Sequence, residues 1–95
     1  MRVHWTRNAI AHLTNIYEYI GLNSITYAKR TVENITQRSK QIADQPYSGR
    51  MVPEYESDDI RELIEKPYRI IYRIKPDQID VIAGIHGARL LPNGV

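Results

Sequence analysis

The sequence predicts one α+β domain over residues 1–95, with the element order β-α-α-β-β-β and an N-terminal helical hairpin packed on one face of a small, twisted antiparallel sheet. In the first half of the chain, apolar residues recur at helical spacing. In the second half, apolar and polar residues alternate at strand spacing, and tight turns separate the alternating runs. A chain of 95 residues suits a single small core.

The first half of the chain predicts a short strand followed by two helices. Residues 2–6 alternate apolar and polar side chains, and Thr6 can cap the helix that follows. That helix is expected to end near Gly21. The second helix begins after Ser24 and ends at Gln45-Pro46, because the residue before a proline disfavours the helical backbone conformation. Only a short turn separates the two helices, so they are expected to be antiparallel neighbours.

The second half predicts a loop and a three-stranded meander. Residues 46–59 contain two prolines, a glycine and an acidic cluster, which indicates a loop with a short extended piece around Met51-Val52. Strands are predicted at residues 60–65, 68–75 and 78–85. The turns at Lys66-Pro67 and Pro76-Asp77 are tight, so the three strands are expected to pair in antiparallel fashion.

Alternation assigns the side chains of these strands to two faces. The middle strand places Tyr68, Ile70, Tyr72 and Ile74 on one face and Arg69, Ile71, Arg73 and Lys75 on the other. The last strand places Ile79, Val81, Ala83 and Ile85 on one side and Asp80, Ile82 and Gly84 on the other. The tyrosine face is expected to bury the helical stripes. The opposite face is cationic and half-apolar, and we expect it to stay uncovered and to bind a partner.

Composition narrows the function classes. Cysteine is absent, which excludes disulfides and thiolate metal sites, and no spacing of His, Asp and Glu suggests a zinc site, so neither metal nor cofactor is expected. We find no secretory signal and no apolar run of the roughly 20 residues that span a membrane, which predicts a cytoplasmic protein. The net charge of +2 and the pI of about 9.0 permit nucleic acid, ribosomes or an acidic protein as partner.

Four segments carry a resemblance to a known family. They are VHWT before the first helix, QPYSGRMVPEY after the second helix, IRELIEKPYRIIYRI in the first two meander strands and IHGARLLP at the end of the last strand. In this order and spacing, the sequence resembles the RelE/ParE superfamily of toxins from bacterial type II toxin–antitoxin modules. The resemblance spans nearly the whole chain. It implies a cognate antitoxin whose C-terminal segment wraps the toxin.

The resemblance leaves the target open between two branches. ParE-like members bind and poison DNA gyrase, whereas RelE-like members are ribosome-dependent mRNA endonucleases. The tail LLPNGV lacks the C-terminal tyrosine frequent in RelE-like enzymes, the charge of +2 is low for ribosome binding, and the second helix is long. These features favour the ParE-like reading. An mRNA interferase is the alternative, and a degenerate member that only binds its antitoxin is the second alternative.

Metal-free RNA cleavage defines the candidate catalytic residues. It needs a base for the 2′-hydroxyl, an acid for the leaving oxygen, and cations for the charge that develops on phosphorus. Histidine suits proton transfer, and arginine suits phosphate. If the chain is a nuclease, the candidates are Arg69 and Arg89 as cations, His86 as acid or base, Glu54 as base and Arg61 as an added cation. The arginine roles and the glutamate role are those that the resemblance implies.

Each candidate also has a structural interpretation. Arg69 can instead pair with Glu62 or Glu65 across a strand, and His86 can cap or pack at the strand end. Arg89 can contact an acidic antitoxin. The residues predicted to contact the antitoxin or the target are Arg69, Arg73, Arg89, Tyr19 and Tyr27. A homodimer through the half-apolar face is a further arrangement, but the antitoxin is the better candidate to cover that face.

Overall fold

Two helices and a five-stranded sheet build residues 1–87, which are the residues that the computed structural model describes. In chain order the elements are β1 (Arg2–Trp5), α1 (Arg7–Gly21), α2 (Ile25–Gln41), a 3₁₀ turn (Pro46–Ser48), β2 (Arg50–Met51), β3 (Ile60–Glu65), β4 (Tyr68–Ile74) and β5 (Gln78–His86). The predicted order is confirmed, and β2 is the extended piece expected near Met51-Val52.

Both helices begin at the predicted caps. The Thr6 hydroxyl accepts a hydrogen bond from the Ala9 N–H at 3.2 Å, and the Ser24 hydroxyl accepts one from the Tyr27 N–H at 3.1 Å. The second helix ends at Gln41, ahead of the predicted boundary at Gln45-Pro46. Residues 42–45 leave the helix through turn hydrogen bonds instead.

The strand order in the sheet is β1-β5-β4-β3-β2. Neighbouring pairs are antiparallel except β1 and β5, which run parallel, so the sheet is mixed where the sequence predicted an antiparallel one. Alternation along a strand indicates its faces but not the direction of its neighbour. The helical hairpin connects β1 to the rest of the sheet, and a connection of that length permits a parallel edge strand.

The helices cover one face of the sheet, which we call the helix face. Its core contains Ala9 and Ile16 from α1, Ile35 from α2, Ile42, and the strand residues Leu63, Tyr68, Ile70, Tyr72, Ile79 and Val81. Tyr72 is fully buried, donates its hydroxyl to the Pro46 carbonyl oxygen at 2.7 Å and accepts the Gly49 N–H at 3.0 Å. A side chain at Gly49 would collide with that hydroxyl. The predicted tyrosine face is therefore confirmed as the core face.

A β-bulge divides β5. Ile71 pairs with Ala83, whereas the next residue, Tyr72, pairs with Val81, so Ile82 is the extra residue. One extra residue reverses the alternation beyond it. Ala83 and Ile85 therefore belong to a second core on the far face, and the prediction that they share a side with Ile79 and Val81 is wrong.

The far face carries its own small core. Residues 52–59, which we call the strap, fold back over it with Val52 fully buried and Tyr55 packed alongside. Beneath them lie Ile60, Ile71, Ala83 and Ile85. The expectation that this face stays uncovered is therefore wrong for its apolar half, because the loop between β2 and β3 supplies the cover that the helices cannot.

Candidate functional site

Four charged side chains form a connected group on the far face, which we call the charge network: Arg50, Glu54, Glu62 and Arg69. Arg69 donates its Nε–H to Glu62 Oε1 at 2.6 Å. Its Nη1 and Nη2 donate to the two oxygens of Glu54 at 2.8 Å each. Glu62 also accepts from Arg50 Nε at 2.5 Å. The guanidinium is thus held from two sides by carboxylates.

Burial strengthens the ion pairs within the charge network. The side chains of Glu62 and Arg69 are 0% and 7% exposed, whereas Glu54 is 15% and Arg50 is 61% exposed. The hydrogen bonds that Arg69 donates to Glu54 raise the pKa of Arg69 above its ordinary value, against the opposing effect of burial, and Glu62 adds to the rise. Arg69 is a permanent cation, and its side chain is held in one orientation.

The sheet and the strap together position the charge network. Glu62 on β3 and Arg69 on β4 project from the same face of neighbouring antiparallel strands, and the strap delivers Glu54 from above. From the sequence, Glu62 was only an alternative partner for Arg69, and Arg50 was not among the candidate residues. The sequence could have predicted an ion pair at Glu62. This residue lies between Ile60 and Ile64 on one face of a buried strand, where a carboxylate needs a cation.

A cavity of about 330 Å³ lies beside the charge network. It is lined by Arg50, Pro53, Glu54, Arg69 and Gly87. Tyr55, on the same strap, is close enough for Glu54, Arg69 and Arg73 to influence its pKa, which burial raises above the ordinary value. Tyr55 is a tyrosine near Arg69 that the sequence analysis missed, because the strap's path follows from tertiary packing.

His86 lies on the opposite face from Arg69. In the β4–β5 register His86 is directly paired with Tyr68, and the two rings meet edge to face with centroids 6.0 Å apart. Arg69 is paired with Ile85, which belongs to the far-face core. His86 and Arg69 were candidates for one nuclease site, but the bulge at Ile82 turns His86 to the helix face and away from Arg69.

His86 lines a groove of about 300 Å³ between α1 and the end of β5. The groove also contains His12, Asn15, Tyr19 and Tyr68. His12 Nδ1 accepts a hydrogen bond from the Gly84 N–H at 3.1 Å, which ties α1 to β5 at the floor of the groove. The groove and the cavity beside Arg69 are therefore separate sites on opposite faces of the sheet.

Arg61 is also separated from Arg69. It is paired across the sheet with Tyr72, on the helix face. Its Nη2 contacts Asp58 Oδ1 at 2.6 Å, and its guanidinium lies 5.2 Å from the centre of the Tyr47 ring. Of the nuclease candidates within residues 1–87, only Arg69 and Glu54 are in contact. Arg89 lies outside the described residues.

The cationic half of the far face is partly neutralised. Arg73 pairs in register with Ile60 and Asp80 on this face, as predicted from alternation. Lys75 Nζ contacts Asp80 Oδ2 at 2.6 Å, and the pKa of Asp80 is lowered chiefly by this hydrogen bond, against the effect of burial. Arg73 is partly exposed on this half of the face.

Exposed apolar side chains cluster where the helical hairpin turns. Tyr19, Leu22, Ile25 and Tyr27 are 73%, 83%, 59% and 54% exposed, and we call them the hairpin-tip patch. Burial raises the pKa of Tyr68, and Tyr19 and Tyr27 lie near enough to add to that rise. The patch is thus adjacent to the groove that holds His86, and the two predicted contact tyrosines share one surface.

Other kinds of site are not present in the described part of the chain. Residues 1–87 contain no cluster of three or more His, Asp or Glu side chains placed to hold a metal ion. None of the helices described is long and apolar enough to cross a membrane.

Comparison with known proteins gives concordant matches. The family model for the ParE toxin of the type II toxin–antitoxin system parDE matches residues 3–91. A curated relative, Toxin RelE2 of Caulobacter vibrioides, is 32% identical over 90 residues, which cover 94% of this chain and 98% of that protein. A solved structure described as a chromosomal ParDE system from P. aeruginosa matches with a TM-score of 0.75 at 28% identity, over 90% of this chain and 95% of that one.

Proposed function

Because the chain belongs to the ParE toxin family of type II toxin–antitoxin systems, we propose that it arrests growth by binding DNA gyrase and does not itself cleave RNA. Family membership implies a cognate antitoxin, which on this proposal keeps the toxin inactive until it is lost. The observation that carries the proposal is the state of Arg69, the arginine whose position matches the catalytic cation of RNA-cleaving relatives.

Arg69 has its donors directed at protein carboxylates. Nε is engaged by Glu62, and both Nη atoms are engaged by Glu54, at distances of 2.6 to 2.8 Å. A nuclease needs preorganised donors aimed at the phosphate in the transition state. Before Arg69 can bind a scissile phosphate through its Nη atoms, the Glu54 carboxylate has to move away. On this proposal the Arg69 side chain has a structural role as the centre of the ion pairs with Glu54 and Glu62.

The separation of Arg69 from His86 also supports target binding over RNA cleavage. A proton donor and a stabilising cation have to reach one phosphodiester from within hydrogen-bonding distance. His86 lies in the groove on the helix face, and Arg69 lies on the far face. Their positions on opposite faces argue against a single site in which His86 is the acid and Arg69 the cation.

The hairpin-tip patch supplies a surface that suits target binding. Exposed aromatic and aliphatic side chains next to a groove are typical of the centre of a protein–protein contact. A toxin that acts by binding a target protein requires such a surface. On this proposal Tyr19 and Tyr27 contact the target or the antitoxin.

The alternative is a ribosome-dependent mRNA interferase. The observation that favours it is the name of the curated relative, Toxin RelE2, which shares 32% identity with this chain over nearly its full length. On that alternative the strap has to open on the ribosome to release Arg69. The second alternative is a member that binds its antitoxin and has no target.

Short induction of the protein without an antitoxin distinguishes these functions. We expect growth arrest, loss of DNA supercoiling with cleaved DNA, and intact mRNA, and we expect purified protein to inhibit supercoiling by purified gyrase. Mapped cuts within translated mRNAs, with gyrase unaffected, would overturn the proposal in favour of the interferase. Normal growth with both readouts unchanged would leave only the antitoxin-binding member.

A matched pair of tyrosine variants tests the contact surface. Tyr27→Ser is expected to weaken gyrase inhibition, because Tyr27 belongs to the hairpin-tip patch. Tyr47→Ser is the control, since Tyr47 is similarly exposed, at 57% against 54%, but lies beside Arg61 instead. Both variants should keep the melting temperature of the wild type. Equal inhibition by the two variants would exclude Tyr27 from the contact with gyrase.

A further inference from the structure

We propose that the exposed side of α2 binds duplex DNA and contacts base edges in the major groove through Asn34, Gln37, Arg38 and Gln41. We call these four residues the α2 face. The site is separate from the charge network and from the groove that holds His86, and it does not depend on which target the toxin has. The proposal follows from the spacing of these residues along the helix, from their chemical types and from the charges around them.

One side of α2 is packed against the protein, and the opposite side is exposed to solvent. The buried residues of the helix are Ala28, Thr31, Ile35 and Ser39. On the other side Asn34, Gln37 and Gln41 are exposed at positions i, i+3 and i+7, a spacing that aligns them on one stripe of a helix. The helix has 17 residues and is therefore about 25 Å long. The major groove of B-form DNA, about 12 Å wide, admits an α-helix.

The side chains of the α2 face are of the types that pair with base edges. Asparagine and glutamine can each form two hydrogen bonds with adenine, at N6 and N7, and arginine can form two with guanine, at O6 and N7. The α2 face combines three carboxamides with one guanidinium around a groove of about 300 Å³, and Glu65 completes the lining of that groove. These groups therefore match the hydrogen-bonding pattern that purines present in the major groove.

The charges of α2 favour a polyanionic partner. Its cationic residues are Lys29, Arg30, Arg38 and Lys40, and its acidic residue is Glu33. Arg30 is exposed one turn before Asn34, where it can contact a phosphate at the edge of the groove. Glu33 projects about 100° away from Asn34 around the helix axis, so it does not lie on the α2 face.

Arg38 is held beside the carboxamides by an exchangeable contact. Its Nη1 donates to Glu65 Oε2 at 3.1 Å and to the Ile64 carbonyl oxygen at 3.4 Å. The side chains of the pair are 38% and 24% exposed, and ion pairs of this kind contribute little to stability. Arg38 can therefore exchange Glu65 for a base edge without disturbing the core.

The test is the binding of a short fluorescent DNA duplex to the purified protein, without gyrase, followed by fluorescence anisotropy at low salt. We expect a dissociation constant of about 1–100 µM. A second duplex carries 7-deazaadenine in place of adenine, which removes the N7 acceptor and leaves the phosphate charge unchanged. We expect the wild type to bind this duplex at least about fivefold more weakly. Equal binding of the two duplexes, or no binding of either, would overturn the proposal.

A matched pair of variants tests whether the contact is on α2. Asn34→Asp is expected to weaken DNA binding at least about fivefold, because a carboxylate cannot donate to adenine N7 and repels phosphate. Asn23→Asp is the control, since Asn23 is exposed in the turn between the helices and the substitution changes the net charge equally. Both variants should keep the melting temperature of the wild type. Equal affinities of the two variants would overturn the proposal, and if Asn34→Asp does not fold, the 7-deazaadenine duplex decides with the wild type.

A double-stranded RNA of the same sequence separates base contacts from general attraction to phosphate. The major groove of A-form RNA is too deep and narrow for side chains to reach the base edges. We therefore expect the RNA duplex to bind more weakly than the DNA duplex, and equal or tighter binding of the RNA would overturn the proposal. Because none of these measurements contains gyrase, their outcome stands whatever the gyrase assay shows.

Discussion

Arg69 shows how its immediate neighbours determine what one side chain can do. An arginine on an exposed sheet face is available to a partner, but the strap buries this one and supplies Glu54 as its ligand. A buried ion pair contributes little net stability compared with an apolar pair, yet removing one partner is costly because the remaining charge stays buried. The charge network is therefore sensitive to any substitution that leaves Glu62 without its full complement of cations.

Arg69→Ala is expected to lower the free energy of unfolding by about 3–5 kcal/mol, because it removes the buried cation that pairs with both Glu62 and Glu54. Urea unfolding of the purified protein measures the loss. Arg38→Ala is the control, since the side chains of the Arg38–Glu65 pair are 38% and 24% exposed and such pairs contribute about 0–1 kcal/mol. Losses of equal size in the two variants would contradict the coupling that we infer within the network.

The pair between Arg69 and Glu62 was one of the alternatives that the sequence offered, whereas the contact between Arg69 and Glu54 was not predicted. Arg69 was placed on the far face by the alternation of β4, and Glu62 was named as an alternative partner for it. Glu54 was assigned a role only through the family resemblance. Its actual position depends on Val52, which anchors the strap in the far-face core, and local patterns do not encode how a loop folds over a sheet.

At the scale of elements, β5 determines which functional groups can meet. The bulge at Ile82 sends Ala83 and Ile85 to the far face and His86 to the helix face. The sequence contained a signal for it, because an isolated glycine within a strand often marks a bulge or a close approach of the backbone. Gly84 is such a glycine, and a Cβ there would lie 3.5 Å from the Ile70 side chain and 3.8 Å from that of Ile16. By contrast, β4 has no such glycine, and its predicted faces are correct.

The hydrogen bond between His12 and Gly84 follows from the same bulge. We predict that it stabilises the contact between α1 and β5. His12→Ala removes the acceptor of the Gly84 N–H, and we expect it to lower the free energy of unfolding by about 1–2 kcal/mol. His12→Asn is the matched variant, because its side-chain oxygen can occupy the place of Nδ1, and it should recover part of the loss. Chemical denaturation measures stability, and hydrogen exchange of the Gly84 amide reports the bond directly. Unchanged exchange in His12→Ala would show that another group accepts this N–H.

The whole molecule is a sheet with a core on each side, and the two cores differ in how readily the sequence reveals them. The helix-face core follows from helical stripes and strand alternation, which are local patterns, and it was predicted together with the fold class. The far-face core follows from the path of the strap, and it was missed. The consequence for function is that the surface expected to bind a partner is half covered, while the exposed apolar surface lies at the hairpin tip instead.

The docking of the helices on the sheet gives a prediction for the whole fold. Tyr68 is 8% exposed in the helix-face core, and burial already disfavours charge there, as the raised pKa of its hydroxyl shows. Tyr68→Asp places a carboxylate in that site, and we expect it to unfold the domain, with a loss of several kcal/mol. Tyr27→Asp is the control, because Tyr27 is 54% exposed in the first turn of α2, where a negative charge is favourable. Thermal unfolding followed by circular dichroism compares the two variants. Tyr27→Asp should retain the native transition. A native transition in Tyr68→Asp would show that this side chain is not essential to the contact between the helices and the sheet.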